Sequence, residues 1–253
     1  MRIGVIGTGV IASAVVDGIA GDGHQITVSE RSREKSAALA ARHANVSVAG
    51  NQGVVDASDL VFIALMADAA PAILSDLTFR EGQQVVSFMA GFPLDALRPL
   101  VAPARVAALV LPFPAVAIGG SAVISCPQAD VVDAVFGVNN HVVTVPDEAG
   151  LVPFMAAQAL LSPAVKLLDE AAGWMAERTR DRAGAERFLR ILIGGGIAAA
   201  PYDRPGVLAG MLADLNTEGG FNAQLRQHFE AAGMFDTLRE GLDILERRQT
   251  GDK

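Results

Sequence analysis

The chain has 253 residues, enough for one large or two modest domains with cores of their own. Hydrophobic residues are 51% and charged residues 19%, which excludes intrinsic disorder, and 26 glycines with 12 prolines are too few for a low-complexity chain. Lys and Arg number 20 against 28 Asp and Glu, a net −8, and aromatics are only 5%; nucleic acid or an anionic membrane surface needs the basic or stacking surface that is missing. The single cysteine, Cys126, permits no internal disulfide and no cysteine metal cluster, which fits a reducing cytoplasm.

Arg2–Ile6 reads as a short buried strand, and Gly7-Thr8-Gly9 opens a helix whose Ile11, Val15 and Ile19 share one face. The stretch from Arg2 to Val16 imitates an export signal, but Gly4, Gly7 and Gly9 interrupt it and the apolar period changes after Gly9. Gln25–Ser29 is a second strand, Ser32–Arg42 a helix, and Val46–Val48 a brief third strand. Leu60–Leu65 and Val85–Phe88 are the fourth and fifth. The uncharged run Val106–Ala129 is long enough to span a bilayer. Its Pro112, Pro114, Gly119, Gly120 and Pro127 break any continuous helix, so strands at Val106–Leu111 and Ser121–Ser125 with a turn between them are expected instead. A helix at Ala129–Phe136 and a strand at His141–Val145 follow. Strands at this spacing with helices between them imply a Rossmann-type, mostly parallel α/β sheet covered on both faces.

Beyond about Gly150 the strand signals stop, and a short linker at Pro146–Gly150 implies domains that pack rather than swing. Leu161, Val165, Leu168, Ala172 and Met175 form one helical stripe, with Ser162-Pro163 as N-cap and first helical position, or as a kink. Further stripes are Val207, Leu208, Met211, Leu212, Leu215 and Phe235, Leu238, Leu242, Leu245; Trp174 reads as core, and Glu246–Lys253 as a solvated helix end. The expected organisation is a dinucleotide-binding domain over 1–149 and an all-helical substrate and dimerisation domain over 150–253.

Gly7-Thr8-Gly9-Val10-Ile11-Ala12 matches G-x-G-x-x-G/A between a strand and a helix. The first Gly permits the tight turn, the second lets backbone approach a pyrophosphate, and Ala12 keeps helix close to strand; the anion then sits on free helix N–H groups. Glu30, at the end of the second strand, suits a ribose hydroxyl and NAD, while Arg31, Ser32 and Arg33 suit a 2′-phosphate and NADP. The cofactor is therefore read as NADP or NAD, with NADP favoured. Leu65, Met66 and Ala90 fall at carboxyl ends of strands, where open α/β sheets bind ligands, and are expected on the nicotinamide side.

Thr217-Glu218-Gly219-Gly220-Phe221-Asn222 lies between two helical stripes. Its glycines leave N–H groups uncovered at a helix start, and Asn222 offers a donor and an acceptor. A turn capped by Thr217 or Asn222 is the plainer alternative. His24, His43, His141 and His228 are scattered without metal-ligand spacing, and Cys126 lacks a neighbouring activator.

Together these segments resemble the pyrroline-5-carboxylate reductases, which complete proline synthesis. The Gly-rich start, Val61–Leu65, Val85-Val86-Ser87-Phe88-Met89-Ala90-Gly91 with Leu94-Asp95, Leu111-Pro112-Phe113-Pro114-Ala115, Ser162-Pro163-Ala164 and Thr217–Asn222 fall in that family's order over nearly the full length. The resemblance implies hydride transfer from NAD(P)H to the C=N bond of a small cyclic imine carboxylate. It further implies Gly219, Gly220, Asn222 and Ser162 around the substrate, Asn222 and Thr217 as catalytic positions, and a homodimer or larger assembly. A cyclic imine arrives protonated, so positioning can carry the reaction. The chain departs from the family at Val10 (usually Asn), at Leu65-Met66-Ala67 (V-K-P), at Phe113 (an Asn-Thr pair), at Ala159, Leu160 and Leu161 (S-G-S) and at Asn222 (Thr). Two other readings stay open: an oxidoreductase for another imine or a hydroxyacid, with Lys166 as the only Lys on the long helix, and a non-catalytic dinucleotide sensor.

Overall fold

The computed structural model describes residues 1–251 and divides into two compact units, Met1–Leu151 and a second beginning at Val152; the last two residues of the expected helix end lie outside the described residues. The first unit is one eight-stranded sheet. Its strands are β1 (Arg2–Ile6), β2 (Gln25–Ser29), β3 (Val46–Ala49), β4 (Leu60–Ile63), β5 (Gln84–Ser87), β6 (Arg105–Pro112), β7 (Ala122–Cys126) and β8 (His141–Thr144). Their order is β3-β2-β1-β4-β5-β6-β7-β8, parallel except where β7 runs against β6. That reversal follows from the short connection of the uncharged run: a crossover to a parallel strand needs a dozen or more residues, usually with a helix.

Six helices flank the strands: α1 (Val10–Ile19), α2 (Arg33–Arg42), α3 (Asn51–Ala57), α4 (Ala70–Ser75), α5 (Leu94–Val101) and α6 (Asp130–Phe136). One core layer joins Val15, Val16 and Ile19 of α1, Leu39 of α2 and Val132 and Phe136 of α6 to Ile3, Val5, Phe62 and Val110 of the sheet. The opposite layer joins Val54 and Val55 of α3, Leu74 of α4 and Leu97 of α5 to Ile6, Val61, Ile63 and Val85. Phe62, Phe88 and Phe136 pack as an aromatic cluster, with the Phe62 and Phe88 ring centroids 4.9 Å apart. The central strands β1 and β4 are thus apolar on both faces, as a covered parallel sheet requires.

Helices make up the second unit. They are α7 (Leu151–Ala157, whose first residue closes the preceding unit), α8 (Leu161–Thr179), α9 (Arg182–Leu189), α10 (Gly195–Ala198), α11 (Val207–Asp214), α12 (Phe221–Ala231) and α13 (Met234–Thr250). A single wide π-turn, Arg190–Gly194, joins α9 to α10. Ser162 is not an N-cap: α8 starts one residue before it, from a helical Leu160. The chain from Leu151 to Thr179 is one long helix with a tighter turn at Gln158–Leu160. Pro163 accounts for that turn, since it has no N–H to offer the carbonyl of Ala159 four residues earlier. By length and composition this helix is apolar enough to cross a membrane, the only such helix among the described residues. Trp174 departs from the expected core position: it is 58% exposed, and the Arg178 guanidinium lies 4.1 Å from its ring centroid.

Candidate functional site

The Gly-rich turn is built by three strands. β1 ends at Ile6, whose carbonyl accepts the Ala64 N–H at 2.8 Å. Gly7 follows with φ +99°, and its N–H donates to the buried Ser29 hydroxyl, at the end of β2, at 2.8 Å. A Cβ on Gly7 would lie 2.3 Å from the Ala64 carbonyl oxygen, so the neighbouring strand admits only glycine. Gly9 is different. It has ordinary extended backbone as the N-cap of α1, and a Cβ there would meet nothing within 4 Å. No side chain caps α1, so its first N–H groups are left without a side-chain partner. Thr8 Oγ1 and Ser13 Oγ are buried beside the turn without a hydrogen-bond partner. Ala12 is buried and brings the helix down onto the sheet. Open space over a Cβ-free Gly9, an uncapped helix end and two unsatisfied hydroxyls fit a dinucleotide pyrophosphate. Thr8 belongs to the motif read from the sequence, whereas Ser29 and Ser13 were not singled out; their signal was a polar side chain in a mostly apolar element.

Glu30 leaves β2 with its N–H donating to the Ala49 carbonyl at 3.1 Å, and its side chain is exposed. Arg31 and Arg33 are exposed, and Ser32 is half-buried at the N-cap position of α2 without a side-chain cap bond. Both cofactor signals therefore stand at one strand end. Leu65 is buried, Ile11 half-buried and Ala90 exposed, while Val10 and Met66 present 66% and 70% of their surface.

In the second unit, Thr217–Gly220 is a tight turn: Gly219 takes φ +70° and the Gly220 N–H donates to the Thr217 carbonyl at 2.9 Å. Gly220 is the N-cap of α12 and receives no side-chain cap bond. The alternative in which Thr217 or Asn222 caps the helix is thereby corrected; Gln224 Nε2 instead holds the turn, donating to the Gly219 carbonyl at 2.9 Å. Asn222 is exposed, and Phe221 is 89% exposed. Arg226 donates to Asn216 Oδ1 at 2.6 Å, just ahead of the turn. Ser162 lies exposed on α8. Lys166 is bonded to Glu170 and paired with Asp169 on its own helix, which raises its pKa.

Two further titratable groups lie outside these turns, Asp17 and Cys126. His43 Nε2 lies 2.7 Å from Asp17 Oδ1, and Arg42 also donates to that carboxylate. Burial pushes the Cys126 thiol up, with Glu148 and Asp147 adding to the effect, so it is a poor nucleophile. Among the described residues no group of His, Cys, Asp and Glu is arranged to hold a metal.

Residues 2–91 match the family described as NADP oxidoreductase, coenzyme F420-dependent. A search of the curated proteins finds no match. Solved structures do match over the full length. The 1-pyrroline-5-carboxylate reductase of Streptococcus pyogenes is 20% identical, with 99% of this chain and 98% of that one covered at TM-score 0.78. The pyrroline carboxylate reductase of Plasmodium falciparum, solved with NADP bound, is 14% identical, covering 100% and 98% at TM-score 0.80. An imine reductase from Pseudomonas sp. is 17% identical, covering 99% and 90% at TM-score 0.59. The chain has the fold of the pyrroline-5-carboxylate reductases, and the likeness read from its motifs extends through both units.

Proposed function

We propose that this chain is an NAD(P)H-dependent reductase acting on the C=N bond of a small cyclic imine. The observation that carries the reading is the open space over Gly9 at an uncapped helix end, in a turn that lies within residues 2–91, the stretch that matches the NADP-oxidoreductase family. NADP is favoured over NAD because Arg31 and Arg33 stand free to meet a 2′-phosphate and a solved relative holds NADP. On this reading residues 1–149 bind the dinucleotide through Gly7–Ala12, Glu30–Ser32, Leu65, Met66 and Ala90. Residues 150–253 recognise the substrate through Gly219, Gly220, Asn222 and Ser162.

When bound, the reduced nicotinamide supplies the hydride that turns the C=N carbon into CH and leaves the cofactor oxidised. The chain has to hold a protonated imine in place, and no strong acid is required of it. Asn222 Oδ1 suits the imine N–H, with Thr217 keeping the turn in shape through its carbonyl. Imine-dependent oxidation of NADPH, with formation of the amine, is the test.

The same reading includes a homodimer or larger assembly in a reducing cytoplasm. Its support is the second unit's surface, where Leu161, Ile191 and Leu208 are 73%, 67% and 67% exposed. Sedimentation at micromolar concentration is expected to give at least a dimer, and a monomer alone would refute this part.

A further inference from the structure

Resting on the cofactor part of that reading, we infer that Ser29 is a positioning residue for NADPH. Its hydroxyl holds the Gly-rich turn and the end of β2 at one fixed spacing, so that a single cofactor engages both. Backbone pairing of β1 with β2 runs from Arg2 opposite Gln25 to Val5 opposite Val28. The Ser29 side chain carries the connection further. Fully buried at the end of β2, its Oγ accepts the N–H of Gly7, 22 residues earlier in the chain, at 2.8 Å. Gly7 has no slack on its other side, where a Cβ would lie 2.3 Å from the Ala64 carbonyl oxygen. With φ +99° it turns the backbone toward Gly9 and the uncapped start of α1. The residues directly after Ser29 are Glu30, Arg31, Ser32 and Arg33, the groups expected at the adenosine ribose and its 2′-phosphate.

The other buried residues of β2, Ile26 and Val28, are apolar. A hydroxyl buried beside them costs free energy that an apolar side chain would not, and the bond to Gly7 offsets it. Without Ser29 Oγ the Gly7 N–H loses its acceptor, and the turn shifts to find water or another carbonyl. NADPH binding then has to restore the turn. Its apparent Kd rises in inverse proportion to the fraction of molecules already in the competent arrangement. A ligand that meets only the Glu30–Arg33 end does not need the turn and gains nothing from the spacing between the two anchors. Ser29 touches no reacting atom, so saturating NADPH restores the full rate.

The test compares the full wild-type chain with Ser29→Ala and with Ser29→Cys, a near-isostere whose sulfur is a weak acceptor. NADPH is titrated by nicotinamide fluorescence, and adenosine 2′-phosphate, which carries the 2′-phosphate without a pyrophosphate, by competition. Both variants are expected to bind NADPH about tenfold more weakly and the fragment within about twofold of wild type. With 1-pyrroline as the imine, KM for NADPH should rise about tenfold while kcat stays within about twofold. Unchanged NADPH affinity in a folded variant, an equal loss for the fragment, or a fall in kcat without a rise in KM overturns this inference and leaves the reductase reading standing. Failure of both variants to fold also overturns it, because Ser29 is then purely structural. A wild-type chain that binds no NADPH overturns both. A wild-type chain that binds NADPH without reducing the imine overturns the imine reading alone, and the two binding measurements still decide Ser29.

Discussion

Gly7 and Gly9, two residues apart in one turn, are glycine for opposite reasons: a Cβ on the first would strike the Ala64 carbonyl at 2.3 Å, and one on the second would project into open space. Gly7→Ala is therefore expected to cost roughly 2–4 kcal/mol of stability, from a clash together with a positive φ that alanine resists. Gly9→Val should lower the melting temperature by only a few degrees, the cost of a poor N-cap residue, and remove NADPH binding, because its side chain occupies the pyrophosphate's place. Thermal unfolding and nicotinamide fluorescence on the two variants check both halves. Intact NADPH binding by a folded Gly9→Val protein would contradict the assignment of the Gly-rich turn.

Asn222 separates a substrate role from a capping role. Since Gly220 is the N-cap of α12 and no side chain caps it, Asn222→Ala should leave stability within about 0.5 kcal/mol of wild type. If Asn222 accepts the imine N–H, kcat/KM falls roughly 10–100-fold, about 1.4–2.7 kcal/mol, while NADPH affinity holds. A less stable protein with unaltered turnover would remove this turn from the substrate site.

The Asp17 cluster predicts a pH effect on stability. Partial burial pushes the Asp17 carboxyl up, but hydrogen bonds from His43 and Arg42 and their charge outweigh it and hold the carboxyl below its ordinary value. A carboxyl depressed in the folded state stabilises the fold above its unfolded pKa, and loses that contribution as pH falls through the folded one. Asp17→Asn should thus cost on the order of 0.5–1 kcal/mol at neutral pH and nearly nothing well below the carboxylate range. Denaturant midpoints of both proteins across acid pH measure it; a difference that persists undiminished in strong acid would contradict this account.

Much of the first unit was legible because each strand is a short apolar run between breakers, and all eight strands fall close to where the sequence places them. The helices α3, α4 and α5 were not, because six to eight residues carry barely two turns of periodicity, and Gly53, Pro71 and Pro99 interrupt them. The π-turn at Arg190–Gly194 left no local signature. Ser162-Pro163 looked like a helix start because Pro is common there; the helix runs through it and tightens one turn earlier. Trp174 misled because a helical stripe reveals which residues share a face, not what covers that face. In the candidate site, the Gly-rich turn was visible as a motif, whereas the Ser29 hydroxyl holding Gly7 depends on two strands meeting and cannot be read from spacing.

Isotope transfer tests the central claim most directly. The chain is incubated with NADPH carrying deuterium at the transferable C4 position and a cyclic imine, and the amine is examined by mass spectrometry. The account predicts an amine one mass unit heavier, in amount equal to the NADPH oxidised, with wild-type protein and none with Gly9→Val. Unlabelled amine, or NADPH oxidised without amine, would contradict it.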